Sequence, residues 1–111
     1  MQIYEPQLVL KTYDLYLHFY TEIRKWPKPE RYNLGKRCED LILDILDNLT
    51  RALTDRNKKF SLAEADVKIQ QLKLLFRLAN ELKIMEYRKY LFFEVKILEI
   101  GKMLGGWLKT A

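Results

Sequence analysis

The sequence predicts an all-α fold, an antiparallel up-down four-helix bundle, and three observations carry that reading. Breakers are sparse, with 4 Gly and 3 Pro in 111 residues, so the elements are few and long. Apolar residues recur at alternating spacings of three and four, the signature of one helix face. Four such stretches are joined by short connections, which makes sequential helices antiparallel neighbours. A composition 49% hydrophobic and 32% charged is that of a globular chain rather than a disordered one. A single domain of this size buries about two-thirds of its unfolded surface and folds without staples.

The first helix is expected over about 6–26. Pro6 suits an opening turn, because its missing N–H has no intrahelical partner there. The Trp-Pro-Lys-Pro run at 26–29 ends the helix, since a residue before proline avoids the α region. The second helix is expected over 34–53, with Asn33 as N-cap. Its core stripe is Leu34, Cys38, Leu41, Ile45, Leu49 and Ala52, widened by Ile42, Leu46 and Leu53. The opposite face carries Lys36, Asp40, Asp44, Asp47, Arg51 and Asp55. Ser61 and Glu64 have capping-box spacing and are expected to open the third helix, 61–83. Leu62, Ala65, Ile69, Leu72, Phe76 and Ala79 form its seam. The third-to-fourth junction holds no Gly, Pro or good cap; a bend near Met85 is expected, because one helix from 61 to 109 would strand long apolar faces. In the fourth helix, 86–109, the seam is Tyr90, Phe93, Ile97, Ile100, Leu104 and Trp107.

The first helix carries more apolar surface than one bundle face requires. Leu8, Thr12, Leu15, Phe19 and Ile23 give one seam. Val9, Tyr13, Tyr16 and Tyr20 give another, and Leu10 and Leu17 lie on a third line. The strip left to water is Lys11, Asp14, His18, Glu22 and Lys25. Surplus apolar surface marks a contact site, so Leu10, Tyr13, Tyr16, Leu17 and Tyr20 are the expected interface of a homo-oligomer. The competing reading makes the tyrosines ordinary boundary residues of an amphipathic helix.

Net charge is +5, with pI about 9.3. The end holding the first and third connections (24–40 and 80–90) has nine basic residues against five acidic. The other end is +3 and the waist −2. Lys25, Lys28, Arg31, Lys36, Arg37, Arg88 and Lys89 are therefore the candidate contacts for phosphate or an acidic partner; the simpler alternative is that they keep a small domain soluble. Trp26, Tyr32 and Tyr87 accompany them.

The residue set argues against catalysis and metal binding. One histidine and one cysteine supply too few ligands for a zinc site, and His18 alone cannot provide the paired Glu-x-x-His of di-iron bundles. No Gly-rich phosphate loop occurs, and no pair of residues has the spacing of a nucleophile and its base. No catalytic residue, metal, cofactor or small-molecule substrate is expected. Cys38 lies in an apolar stripe and reads as packing. With no signal-like start and no apolar run of about 18 residues, the expectation is a cytoplasmic protein that does not enter the membrane.

Three segments carry a family resemblance: KWPKPERYNLGKR (25–37), SLAEADVKIQQLKLLFRLANELKI (61–84) and GKMLGGWLK (101–109). They resemble the accessory variability determinant of diversity-generating retroelements, with the four-helix proteins encoded in ribosomal-RNA intervening sequences as a more distant relation. The resemblance implies a non-enzymatic four-helix bundle that assembles as a homopentameric barrel. It further implies partners: a reverse transcriptase, and RNA or an RNA/DNA hybrid, during mutagenic copying of template RNA into cDNA. The alternative it leaves is an intervening-sequence type of structural or interaction protein with no reverse transcriptase. Gly101, Gly105 and Gly106 are then expected to let the fourth helix approach its neighbours closely, with Trp107 plugging the bundle's end.

Overall fold

The computed structural model describes residues 4–111, with side chains from Pro6 onward. Four long helices account for nearly all of it. α1 is Tyr4–Ile23. α2, residues 28–54, opens with a single turn, Lys28–Glu30, passes through a wider π-helical turn, Arg31–Gly35, and continues as Lys36–Thr54. α3 is Lys58–Glu81 and α4 is Tyr87–Thr110. Each helix packs on the two beside it in a square, so α1 lies diagonal to α3 and α2 to α4. The body is 42 Å long and 22 × 19 Å in section.

The core follows the expected seams. Leu8, Leu15 and Phe19 come from α1, and Leu41, Ile42, Ile45 and Leu49 from α2. Leu62, Ile69, Leu72 and Phe76 come from α3, and Phe93, Ile97, Ile100 and Leu104 from α4. Phe19, Phe76 and Phe93 form an aromatic knot under the α1–α2 and α3–α4 connections, with ring centroids 5.3–6.0 Å apart. Trp26 packs edge-on against Phe19 at 5.6 Å and closes that end. Trp107 is buried at the other end.

Several boundaries differ from expectation, each for a local reason. α1 ends at Ile23, three residues early, in a turn where Lys25 and Trp26 donate to the carbonyls of Glu22 and Ile23. Asn33 is not an N-cap. α2 begins six residues sooner, at Lys28, because Pro27 sits extended (ψ 146°) as its cap and Pro29 is pre-set for a first turn. Gly35 is what the close approach of α1 requires, since a Cβ there would come within 2.6 Å of Ile23 Cδ1 and 2.8 Å of its Cγ1. The Ser61–Glu64 capping box does not form. Asn57 stands at the N-cap position of α3 without a side-chain capping bond, and Ser61 lies one turn inside the helix, buried. Lys58 Nζ reaches back to the carbonyls of Ala52 (2.7 Å) and Asp55, which draws the α2–α3 connection into a tight turn.

The α3–α4 junction closes without glycine. Ile84 donates to Ala79 O and Lys83 to Asn80 O, the two bonds of a Schellman ending. The left-handed position at its centre is occupied by Lys83, φ 62°. Met85 is buried just beyond, and Asn80 Nδ2 donates to its carbonyl. The α4 glycines are not there for close approach. A Cβ at Gly105 or Gly106 would meet nothing within 4 Å, and one at Gly101 only Ile69 Cγ2 at 3.9 Å.

Candidate partner and nucleic-acid surfaces

The first surface is the outward side of α1. Leu10, Tyr13, Leu17 and Tyr20, spaced three, four and three apart, form a continuous ridge and are 65, 55, 52 and 49% exposed. Arg24 extends the line, its guanidinium 5.7 Å from the Tyr20 ring. Tyr16, grouped with these residues from its spacing, belongs instead to the bundle. It is half-buried against α2, and its hydroxyl donates to Glu39 at 3.4 Å. Burial, and then the Glu39 charge, hold that phenol above its ordinary pKa.

The second surface is the cationic end. Lys25, Lys28 and Arg37 are exposed at the α1–α2 corner, and no carboxylate is within ion-pair distance of them among the described residues. Lys36 is less available: Asp40 accepts from its Nζ at 2.9 Å and holds its pKa up. Arg31 is half-buried, with its Nε enclosed and unmatched by any protein acceptor. Arg88 and Lys89 begin α4, which packs against α1 and lies diagonal to α2 at the same end. Lys89 leans over the Phe92 ring at 5.3 Å. Tyr32 and Tyr87 are largely exposed at this end. Trp26, expected to accompany them, is buried, and its indole N–H donates to Glu22 at 3.1 Å. That bond also removes Glu22 from the solvent strip where its spacing had put it.

Between α1 and α4 the seam is closed by charge. Lys11 meets Glu99 at 2.6 Å, and Lys96 meets Asp14 at 2.8 Å. One level further His18 packs edge-on against Phe92 at 5.0 Å. The Lys96 hydrogen bond is the main reason the Asp14 carboxyl titrates below its ordinary range. His18 is therefore a surface side chain with neighbours of its own.

The α3–α4 seam, by contrast, is open. A hollow of about 330 Å³ lies between Leu74, Arg77, Tyr90 and Glu94, floored by Phe76 and Ile97. A second, of about 200 Å³, continues it past Leu98 to Gly101. Helical periodicity alone does not reveal this groove. The one signal in the sequence is a row of apolar residues off the α3 and α4 core faces, namely Val67, Leu74, Leu78, Leu91, Val95 and Leu98, all exposed.

Burial pushes the Cys38 thiol up to about 12, far from a nucleophile's range. Among the described residues no three His, Cys, Asp or Glu side chains are grouped to hold a metal ion. Likewise no described helix is long and apolar enough to cross a membrane.

Neither a curated protein nor a solved structure gives a significant match to the chain. A family model described as bAvd-like does, over residues 8–111, and covers all four helices, both surfaces and the motifs at 25–37 and 101–109. The chain therefore belongs to the bAvd-like family of accessory proteins.

Proposed function

We propose that this protein is a non-enzymatic accessory factor of a diversity-generating retroelement. In this reading it is a cytoplasmic homo-oligomer, a pentamer by family resemblance, that holds a reverse transcriptase on its RNA template while cDNA is copied. The observation that carries the reading is the α1–α2 corner. Lys25, Lys28 and Arg37 stand there exposed and unneutralised, on an end with nine basic and five acidic residues. At that corner Gly35 packs closely on Ile23 and buried Trp26 is hydrogen-bonded to Glu22, which fixes the start of α2 against the end of α1. Repeated around an oligomer, it becomes a band of positive charge suited to a phosphate backbone.

Family membership supports an accessory role, the reverse transcriptase and RNA are what the family resemblance implies, and the exposed cations favour a polyanionic partner. The test is a salt titration of binding to structured RNA and to an RNA/DNA hybrid. Affinity falls steeply with salt, and the combined change Lys25→Ala, Lys28→Ala and Arg37→Ala flattens the slope by about one for each phosphate left unneutralised. Absence of binding at low salt removes the nucleic-acid part of the proposal. Retention of a reverse transcriptase by the same protein tests the other part. Failure of both favours the alternative of an interaction protein of the intervening-sequence type.

A further inference from the structure

The two apolar surfaces lie on opposite sides of the bundle. The α1 ridge faces out from one corner, and the groove runs along the α3–α4 edge, away from it. An isologous dimer that pairs ridge with ridge leaves the groove uncovered on both copies. Pairing groove with groove strands the ridges in the same way. A head-to-tail contact covers both with a single kind of interface.

We infer that the α1 ridge of one copy seats in the α3–α4 groove of the next, a head-to-tail contact that repeats from copy to copy. This rests on the homo-oligomer reading above and adds which surface meets which. The dimensions agree: Leu10 to Tyr20 spans about 15 Å of helix, and Tyr90 to Gly101 about 17 Å. The chemistry agrees as well. Leu10 and Leu17 are aliphatic, to lie on the floor of Phe76 and Ile97 between Leu74 and Leu98. Tyr13 and Tyr20 have apolar rings with polar tips, and the groove's rim offers Gln70, Lys73, Arg77 and Glu94 as hydrogen-bond partners. Four half-exposed side chains contribute roughly 100 Å² each, enough for the apolar core of an interface of about 800 Å² a side. Entry is unobstructed. Among the described residues the interhelical ion pairs all lie on the α1–α4 seam, none across α3–α4. The outward side of α2, with Asp40, Asp44 and Asp47, then stays in water.

A complementation experiment separates this from other assemblies. The ridge variant combines Leu10→Asp and Leu17→Asp, and the groove variant combines Leu74→Asp and Leu98→Asp, all at exposed positions. Each alone gives 13.4 kDa monomers with unchanged helical circular dichroism. Mixed in equal amounts they share one intact ridge and one intact groove, and light scattering returns a heterodimer of twice that mass. A groove variant that retains the parent's mass overturns the head-to-tail inference while leaving the homo-oligomer intact. A parent chain that is monomeric at every concentration overturns both. Should an aspartate variant lose helicity, cysteine cross-linking reads the same geometry. With a bismaleimide, Leu17→Cys plus Leu98→Cys gives a ladder beyond dimer. A covalent dimer from Leu17→Cys alone contradicts the inference.

Discussion

At the scale of single residues, the chain carries two backbone constraints that its side chains do not relieve. Lys83 sits in the left-handed region, where a Cβ costs about 1 kcal/mol. Lys83→Gly is expected to stabilise the protein by up to about 1 kcal/mol, a rise of several degrees in the thermal midpoint. Gly35 is the reverse case. Gly35→Ala drives a methyl into Ile23 and lowers stability by about 1–3 kcal/mol. Ile23→Val removes the nearest colliding atom, so the two substitutions together cost less than their sum in a double-mutant cycle. Cys38 shows burial acting on chemistry. Its thiol, raised to about 12, reacts with a disulfide reagent at pH 8 only as fast as the protein opens, and at full rate in denaturant. The sequence carried the reason for Cys38, an apolar stripe, but not the one for Gly35, which is the close approach of Ile23 from α1. It could not carry the one for Lys83, because a left-handed lysine is set by the hydrogen bonds of its turn and not by its own preference.

Among elements, the seams were legible and the boundaries less so. Core faces follow from a period of 3.6, which every residue in a helix samples, so one misplaced residue does not spoil the reading. A boundary depends on a few groups finding partners. Ser61 and Glu64 have the right spacing for a box, yet Lys58 reaches two carbonyls of the preceding helix end and starts α3 a turn earlier. Pro27 and Pro29 read as a break and serve instead as a cap and a first turn. Glu22 faces solvent by its spacing, and only the folded-back Trp26 shows why it is buried. The α1–α4 seam also gives these elements a pH dependence. The Asp14 carboxyl is held below its unfolded value, chiefly by Lys96, so the charged pair stabilises the fold above the unfolded pKa of about 3.9. That contribution is lost as pH falls through the lower, folded value. Chemical denaturation below pH 4 is expected to show a smaller acid loss for Asp14→Asn than for the parent.

For the whole molecule, the feature that organises the rest is surplus apolar surface on one helix. A lone bundle of four helices hides one face of each, and α1 has a second: Leu10, Tyr13, Leu17 and Tyr20 remain in water on the folded chain. That surplus was readable in the sequence, because three apolar lines on one helix exceed what one seam absorbs. The membership of the line was less readable, since Tyr16 lies next to Tyr13 and Tyr20 in the spacing but packs against the core, with its hydroxyl on Glu39. The α3–α4 groove was readable only as a row of apolar residues off the core faces, because the gap itself is a property of how the helices pack. The cationic end follows the same division. Its charge was countable from sequence, whereas the neutralisation of Lys36 by Asp40 and the burial of Trp26 needed the fold. Assembly through α1 ties these features together, because it turns a modest charge per chain into a repeated one. Light scattering on the purified chain across a wide concentration range decides whether that assembly exists. Self-association through the ridge gives a mass that is a fixed multiple of 13.4 kDa and that falls to 13.4 kDa with Leu10→Asp and Leu17→Asp together. A parent mass of 13.4 kDa at every concentration would rule it out.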